Sequence, residues 1–329
     1  MSAERVHHTR HEIEVAAPAS VVYGIVSDAV TWPLYFPPNV HVEQLESDGR
    51  RERLRMWAMA NGRTKSWTSR RELDPEARRI EFRQELSAAP VKSMGGTWIV
   101  EPHGAAGSRL VLLHDFTVRG DSADDVAWVE RATDTNSRAE LGSLKELAER
   151  WTHLGDLMLS FEDSVRVDGP AEQVAEQVYE FLYRVRDWPD LVPHVSRLDV
   201  EEDDPGVQVM SMDTRTADGT THTTESVRVC FPHAGRIVYK QTVTPALMSV
   251  HIGEWQVVPD VSGVTVTSQH RVVLREENIR RVLGEDAGVS TARRYVREAL
   301  GRNSTATLNL AKEYAEKYSD GASRSVFSK

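Results

Sequence analysis

The chain is predicted to be an α+β protein made of two tandem copies of one domain, each an antiparallel sheet closed by a long C-terminal helix. Three observations predict it. A shift of 157 lays residues 62–102 on 219–259 without a gap, and fourteen of those forty-one positions are identical. They include Ser69/Ser226, Arg71/Arg228, Gln84/Gln241, Gly96/Gly253 and Trp98/Trp255, and self-similarity at a fixed spacing marks a repeated unit. Each copy carries several segments that alternate polar and apolar residues, the period of half-buried strands. Each also ends in a stretch with apolar residues three and four apart, the period of an amphipathic helix. The copies are placed at residues 1–153 and 154–329.

Each copy reads in the same order. A first strand, about 10–16 and 161–168, leads into "APASVVYGIVSD" or "GPAEQVAEQVYEFLYRV". Proline suits the first turn of a helix, because its missing N–H would have no partner there. A second short helical segment is expected to end at Trp32-Pro33 and at Trp188-Pro189. Strands follow, with hairpin turns expected at Asn61-Gly62 and Asp218-Gly219. Long helices close the copies at about 123–151 and 288–318, and ten additional residues fall near 275–291 in the second. The first long helix carries a stripe of Val126, Val129, Thr133, Asn136, Glu140, Leu144, Leu147 and Trp151. It is apolar at both ends and polar at its centre, and Asn303 takes the place of Asn136 in the second copy. Such a helix either lies across an internal cavity or holds one satisfied core asparagine.

Composition narrows the class. At 329 residues, 40% hydrophobic and 27% charged, the chain is globular with room for two domains. A single cysteine, Cys230, excludes an internal disulfide framework and suits a reducing, cytoplasmic setting. The start "MSAERVHHTRHEIEV" is polar, so no secretory signal is expected, and no apolar run is long enough for a membrane span. A net charge of -10 argues against nucleic acid as the main partner. Arg50, Arg51, Arg53 and Arg55 form a local cluster, read as a solvated edge strand or as a docking patch. "HHTRH" at 7–11 is a weak metal look-alike; no metal site is expected. Gly-rich phosphate loops and nucleophile elbows are missing from the sequence.

The strand faces raise a chemical question. In "SWTSRRELD" one face carries Trp67, Ser69, Arg71 and Leu73. An arginine beside a tryptophan and a leucine cannot shed its charge, so it needs an anion, a partner or water. His114 lies on a face with Leu110, Leu112 and Phe116, and His270 lies on its counterpart with Val266, Ser268 and Val272. Either histidine is a satisfied core residue or a proton-transfer group. Gln84 and Gln241 share faces with Ile80, Phe82, Ile237 and Tyr239. Met94, Gly96 and Trp98 line another strand, opposite His251, Gly253 and Trp255 in the second copy. The glycine leaves room for a planar group, or marks a bulge or close helix contact. Apolar interiors with a few orienting polar groups are typical of ligand pockets.

The Pro-led helix, the Trp-Pro, "NGR…SWTSRR", "MGGTW" and "TNSRAEL" resemble the di-domain aromatase/cyclases of bacterial type II (aromatic) polyketide synthases, over essentially the whole chain. The resemblance implies two helix-grip domains of the START/Bet v 1-like kind, each with a deep pocket between sheet and helix. It implies a pocket strand W-x-S-x-R at Trp67, Ser69 and Arg71; the second copy has Thr224, Ser226 and Arg228, without the tryptophan. Some relatives have a tyrosine soon after the Trp-Pro, where this chain has Asn39 and His194. The implied substrate is a poly-β-ketone on an acyl carrier protein, and the implied partners are that carrier and other synthase subunits, without a cofactor. The implied reaction closes the first ring, between carbons 7 and 12, by aldol condensation, and dehydration then makes it aromatic.

On this reading Arg71 and Arg228 would stabilise an enolate, and His114 and His270 would move protons. Ser69 and Ser226 would orient a carbonyl or a water. Trp32, Phe36, Trp67, Gln84, Met94, Trp98 and Asn136 would hold the substrate in the first copy. Trp188, Gln241, His251, Trp255 and Asn303 would do so in the second. A non-catalytic carrier, or a sensor of hydrophobic ligands, is the alternative on the same fold.

Overall fold

The computed structural model describes residues 5–326, apart from 61, 105, 216–218 and 220. Asn61 and Asp218, expected to open two hairpin turns, lie outside the described residues. The glycines that follow them, Gly62 and Gly219, take φ of 73° and 84°, a region glycine enters without steric cost.

Two compact units divide the chain, residues 1–155 and 156–329. In the first, β1 (His7–Val15) leads to α1 (Ala19–Ser27) and the short α2 (Trp32–Tyr35). Six strands follow: β2 (Asn39–Ser47), β3 (Arg51–Ala60), β4 (Arg63–Asp74), β5 (Arg79–Gln84), β6 (Val91–His103) and β7 (Gly107–Val118). Then come α3 (Ala123–Glu149) and α4 (Trp151–Leu157). The strands pair in the order β1-β7-β6-β5-β4-β3-β2, antiparallel throughout.

The second unit repeats this plan with β8 (Met158–Asp168), α5 (Ala171–Tyr183) and α6 (Trp188–Leu191). Its other strands are β9 (Val195–Asp204), β10 (Val207–Arg215), β11 (Thr221–Phe231), β12 (Arg236–Val243), β13 (Met248–Asp260) and β14 (Gly263–Leu274). After them come α7 (Ile279–Leu283) and α8 (Val289–Val326). The sheet order is β8-β14-β13-β12-β11-β10-β9. Each unit is a helix-grip fold. The ten additional residues of the second copy form a 3-10 turn at 276–278 and α7.

Local chemistry explains the starts. Ser122 caps α3 by accepting the Asp125 N–H, and Asp124 and Asp125 face the positive end of the helix dipole. The Trp-Pro motif does not end a helix, as the sequence reading had it. It opens α2 and α6, with proline in the first turn, which follows from the same missing N–H. Nor is the arginine strand an edge: β3 lies between β4 and β2.

The core sits at one end of each long helix. In the first unit Leu141, Leu144 and Ala148 of α3 pack with Val22 and Ile25 of α1 and with Leu110 of β7. A separate cluster joins Val129 near the other end of α3 to Phe116 and Val118. Between these two apolar contacts the buried positions of α3 are Thr133 and Ser137. In the second unit Leu308, Ala311 and Ala315 of α8 join the core with Val174 and Val178 of α5. The turns of α8 just before them face a cavity.

Candidate functional site

In the second unit, a cavity of about 130 Å³ lies between the sheet and the first half of α8. All six residues expected there line it: Ser226, Arg228, Gln241, His251, His270 and Asn303. Trp188 and Trp255 add aromatic wall. Strand alternation places the sheet residues, since Tyr239 and Gln241 are two apart on β12 and Ser226 and Arg228 two apart on β11. Asn303 is exposed, yet it lines the cavity together with Leu300, Ser304 and Thr307, residues at helical spacing on α8.

Four side chains in this region form a continuous run. Gln241 Oε1 lies 3.0 Å from His251 Nδ1. His251 Nε2 lies 3.0 Å from His270 Nδ1, and His270 Nε2 lies 3.2 Å from Ser268 Oγ. The two imidazoles stack with centroids 5.3 Å apart, Phe161 stacks on His270 at 4.8 Å, and Tyr239 meets His251 edge-on at 5.6 Å. Burial pushes His251 down to about 3, helped by His270 beside it. Burial likewise pushes His270 down to about 4. Both rings are therefore neutral near pH 7.

The first unit holds the same positions with other contents. Met94 stands where His251 is, and Phe82 where Tyr239 is. His114 is half-buried, with Phe82 edge-on at 5.7 Å. Its buried Nδ1 has no hydrogen-bond partner, and burial pushes the ring down to about 4. Ser69 Oγ donates to the Arg83 carbonyl at 3.1 Å. Gln84 accepts from Ser87 Oγ at 3.0 Å. Trp67 packs on Leu54 and Met56, and Met94 packs on Phe116 and Val129. Burial raises the Glu140 carboxyl to about 7.

Three expectations change. Phe36 and Trp98, read as substrate contacts, sit in the core with Ile80 and Leu112. Asn136 is exposed rather than inward. The buried stripe of α3 runs Val129, Thr133, Ser137, Leu141, Leu144 and Ala148, and Asn136 falls 100° round the helix from Ser137. The space beside Gly96 and Gly253 is filled by the protein itself. A Cβ on either glycine would collide with the ring of Phe82 or of Tyr239.

The inward arginines have partners. Arg71 donates through Nη2 to the carbonyls of Val26 and Ser27 at 3.0 and 2.9 Å, at the last turn of α1. Its Nε lies 3.1 Å from Glu52 Oε1, and its guanidinium lies 5.3 Å from the centre of the Trp32 ring. Trp32 is fixed in turn by donating to the Ile25 carbonyl at 3.0 Å. Arg228 repeats this: it donates to the Leu182 carbonyl in the last turn of α5, and it lies over Trp188 at 5.7 Å. Carbonyls at a helix end lack N–H partners and carry the negative end of the dipole, so a guanidinium satisfies both needs. In place of Glu52, Arg228 has the amide of Gln208 at 2.9 Å.

Cavity residues that the sequence reading did not assign include Met210, Met212 and Thr214 of β10. Their strict alternation in "VMSMDTR" was a readable signal. His7 and His11 of "HHTRH" pair with Asp121 and Asp134, each at 2.9 Å.

Residues 6–149 and residues 172–288 each match a family described as polyketide cyclase/dehydrase and lipid transport. The chain belongs to the polyketide cyclase/dehydrase family. It is 42% identical over 313 residues to a granaticin polyketide synthase bifunctional cyclase/dehydratase from Streptomyces violaceoruber, covering 95% of each chain. It is 41% identical to the actinorhodin polyketide synthase bifunctional cyclase/dehydratase of Streptomyces coelicolor, covering 94% of this chain and 98% of that one. Among solved structures, the di-domain ARO/CYC BexL from the BE-7585A biosynthetic pathway superposes with a TM-score of 0.87 at 51% identity, covering 94% of this chain and 99% of BexL. The di-domain ARO/CYC StfQ from the steffimycin pathway gives 0.84 at 32% identity, with 95% and 99% covered. This cyclase/dehydrase carries its polar cavity in the second of its two helix-grip units.

Proposed function

We propose that the chain is a bifunctional cyclase/dehydratase of a type II polyketide synthase that closes the first ring of a poly-β-ketone held on an acyl carrier protein. The ring closes between carbons 7 and 12 by aldol addition, and loss of water makes it aromatic. Residues 1–153 and 154–329 are its two aromatase/cyclase domains, working in the cytoplasm beside the other synthase subunits. The observation that carries this reading is the polar cavity of the second unit, in a chain similar along its whole length to cyclase/dehydratases.

The residues fit the chemistry in stages. An aldol step develops negative charge on an enolate oxygen, and a fixed cation lowers its energy where water is excluded. Arg228 lines the cavity and supplies that charge directly; Arg71 supplies the equivalent charge in the first copy while also holding α1. His114, with a ring nitrogen that has no partner, is suited to take the proton that leaves carbon; His270 holds the same position in the second copy with both ring nitrogens engaged. Ser69 and Ser226 orient a carbonyl or a water. Trp32, Trp67, Gln84 and Met94 in the first copy, and Trp188, Gln241, Trp255 and Asn303 in the second, restrict how the chain folds, so that one pair of carbons meets.

The deciding experiment adds this protein to a minimal polyketide synthase, with and without a ketoreductase, and analyses the products. A shift from spontaneously cyclised shunt products to one first-ring aromatic product is expected. An unchanged product profile in both mixtures would leave a carrier of hydrophobic ligands on the same fold.

A further inference from the structure

The run Gln241, His251, His270, Ser268 takes its direction from the Gln241 amide oxygen that faces His251. A glutamine Oε1 accepts hydrogen bonds and cannot donate. His251 Nδ1, 3.0 Å from that oxygen, therefore carries the hydrogen. A neutral imidazole has one hydrogen, so His251 Nε2 is bare and accepts from His270 Nδ1–H. His270 Nε2 is then bare in its turn and accepts the Ser268 hydroxyl hydrogen. Every ring nitrogen of the pair is occupied, and every donor in the run points toward Gln241.

The two ends differ in access. Ser268 is wholly buried, at 0% exposure, so nothing from the cavity replaces it. Gln241 is half-buried and lines the cavity, so its oxygen is the exchangeable partner. A ligand that displaces Gln241 meets an N–H, not a lone pair. The cavity volume of about 130 Å³ takes one ring-sized or β-diketone-sized unit, below the roughly 300–1,000 Å³ of pockets that enclose whole drug-sized ligands. Arg228 already lines the same cavity, so a second positive charge there would be costly and a neutral donor is the compatible choice.

We propose that His251 is a further catalytic residue of the second copy, whose Nδ1–H hydrogen-bonds a ketone or enolate oxygen of the ligand in place of Gln241. His270 and Ser268 are positioning residues that hold His251 in the donating tautomer. No proton leaves the ring in this role; the N–H polarises the oxygen while Arg228 supplies the charge. The first copy has no equivalent, since Met94 stands at this position. The inference rests on the reading of this cavity as the site of a β-ketone, and it is tested without measuring product.

The probe is 2,4-pentanedione, a stable β-diketone of a size the cavity takes, added to the full-length protein with ¹⁵N-labelled histidine. Long-range ¹⁵N–¹H spectra read which ring nitrogen of each histidine carries hydrogen. Hydrogen on His251 Nδ1 and on His270 Nδ1 is expected, with the His251 Nδ1 resonance moving as the diketone binds. His251→Met, which installs the residue of the first copy, should weaken diketone binding roughly tenfold, the usual cost of one hydrogen bond to a buried polar group. Hydrogen on His251 Nε2 in the wild-type protein would overturn the proposal. So would a bound diketone that leaves the Nδ1 resonance in place. The wild-type spectra decide even if the variant folds poorly. A failed product assay alongside these expected spectra would reject the proposed reaction and keep the donor role.

Discussion

The two copies hold a histidine at one position, His114 and His270, and surround it differently. In the first, a buried ring nitrogen has no partner and Met94 lies nearby on the next strand. In the second, His251 replaces the methionine, and all four ring nitrogens of the pair are engaged. The arginines diverge in the same way. Arg71 meets a carboxylate, Glu52, while Arg228 meets the amide of Gln208. A third pair follows on the long helices, where Glu140 of the first copy aligns with Thr307 of the second. Duplication kept the scaffold and let the polar interior drift, so the first copy holds a histidine with an unpartnered nitrogen and the second a histidine pair with every ring nitrogen engaged. The contact of each arginine with carbonyls at a helix end is kept in both copies.

The arginine contrast gives the largest expected effect. Arg71→Ala leaves the Glu52 carboxylate buried, with its side chain 9% exposed, next to two unpartnered helix carbonyls. Removing one member of a buried ion pair typically costs about 3–5 kcal/mol. Arg228→Ala leaves only neutral partners in direct contact, the Gln208 amide and the Leu182 carbonyl, and should cost about 1–3 kcal/mol. Hydrogen exchange read separately for residues 1–155 and 156–329 in the full-length chain measures each. Glu52→Gln, which installs the pairing of the second copy, should cost less than Arg71→Ala. Equal losses for the two arginine variants would show that the helix-end carbonyls, common to both, dominate and that the carboxylate is irrelevant.

Acid should separate the copies next. His251 and His270 are held near 3 and 4 against an ordinary 6.5, and burial lowers His194 as well. The unfolded chain then binds more protons than the folded one, so stability is lost as pH falls from about 6.5 toward 4. The first copy has His114 with the same sign but also Glu140, raised from 4.5 to about 7. That carboxyl takes its proton in the folded state first, so its contribution is present at low pH and is lost as pH rises from 4.5 through about 7. The second copy should therefore open first on acidification, by protection factors that drop at least tenfold between pH 6.5 and 4.5. Glu140→Gln should remove the loss of stability of the first copy on going from pH 5 to 8. Parallel curves for the two copies, unaltered by that substitution, would mean that the buried groups are solvated.

How much of this was readable follows from the kind of residue. Strand alternation placed Gln241, His251 and His270 on one wall, because the period of two is rigid and both neighbours of each residue were visible. The helical stripe was less secure. Asn136 and Ser137 are adjacent and both polar, so periodicity alone did not choose between them. The inward face of Arg71 was legible, but its partner was not, since Val26 and Ser27 contribute backbone carbonyls that leave no mark in side-chain patterns. Phe36 and Trp98 look like pocket aromatics in sequence; only the packing of α1 and α3 on the sheet turns them into core. Gly96 and Gly253 were recognised as space, whereas the ring filling that space comes from the neighbouring strand.

The smallest expected effect concerns the outer face of the first copy, which carries the arginine cluster where the second has "DDPGVQV". Several arginines of this face, within the cluster and beside it, already have carboxylate partners. Arg53 and Arg70 both meet Glu85, at 2.9 and 2.7 Å, and together they hold that carboxyl near 2. Arg83 meets Asp115 at 2.7 Å. Arg51 is freer: its side chain is 74% exposed and its carboxylate contact, Glu72, is 3.6 Å away. An acidic carrier docking here would gain chiefly from Arg51 and from the exposed Arg50 and Arg55. Exposed pairs are worth about 0.2–1 kcal/mol each, so Arg51→Glu should weaken binding of the loaded carrier by about two- to fivefold. Titration calorimetry at low ionic strength measures it, and the difference should shrink as salt shortens the screening length. Arg53→Glu is the poorer test, because it removes a partner of Glu85 and perturbs the sheet itself. If Arg51→Glu binds the carrier as tightly as the unaltered chain at low salt, the carrier docks on another face, and the charge difference between the copies has no part in delivering substrate.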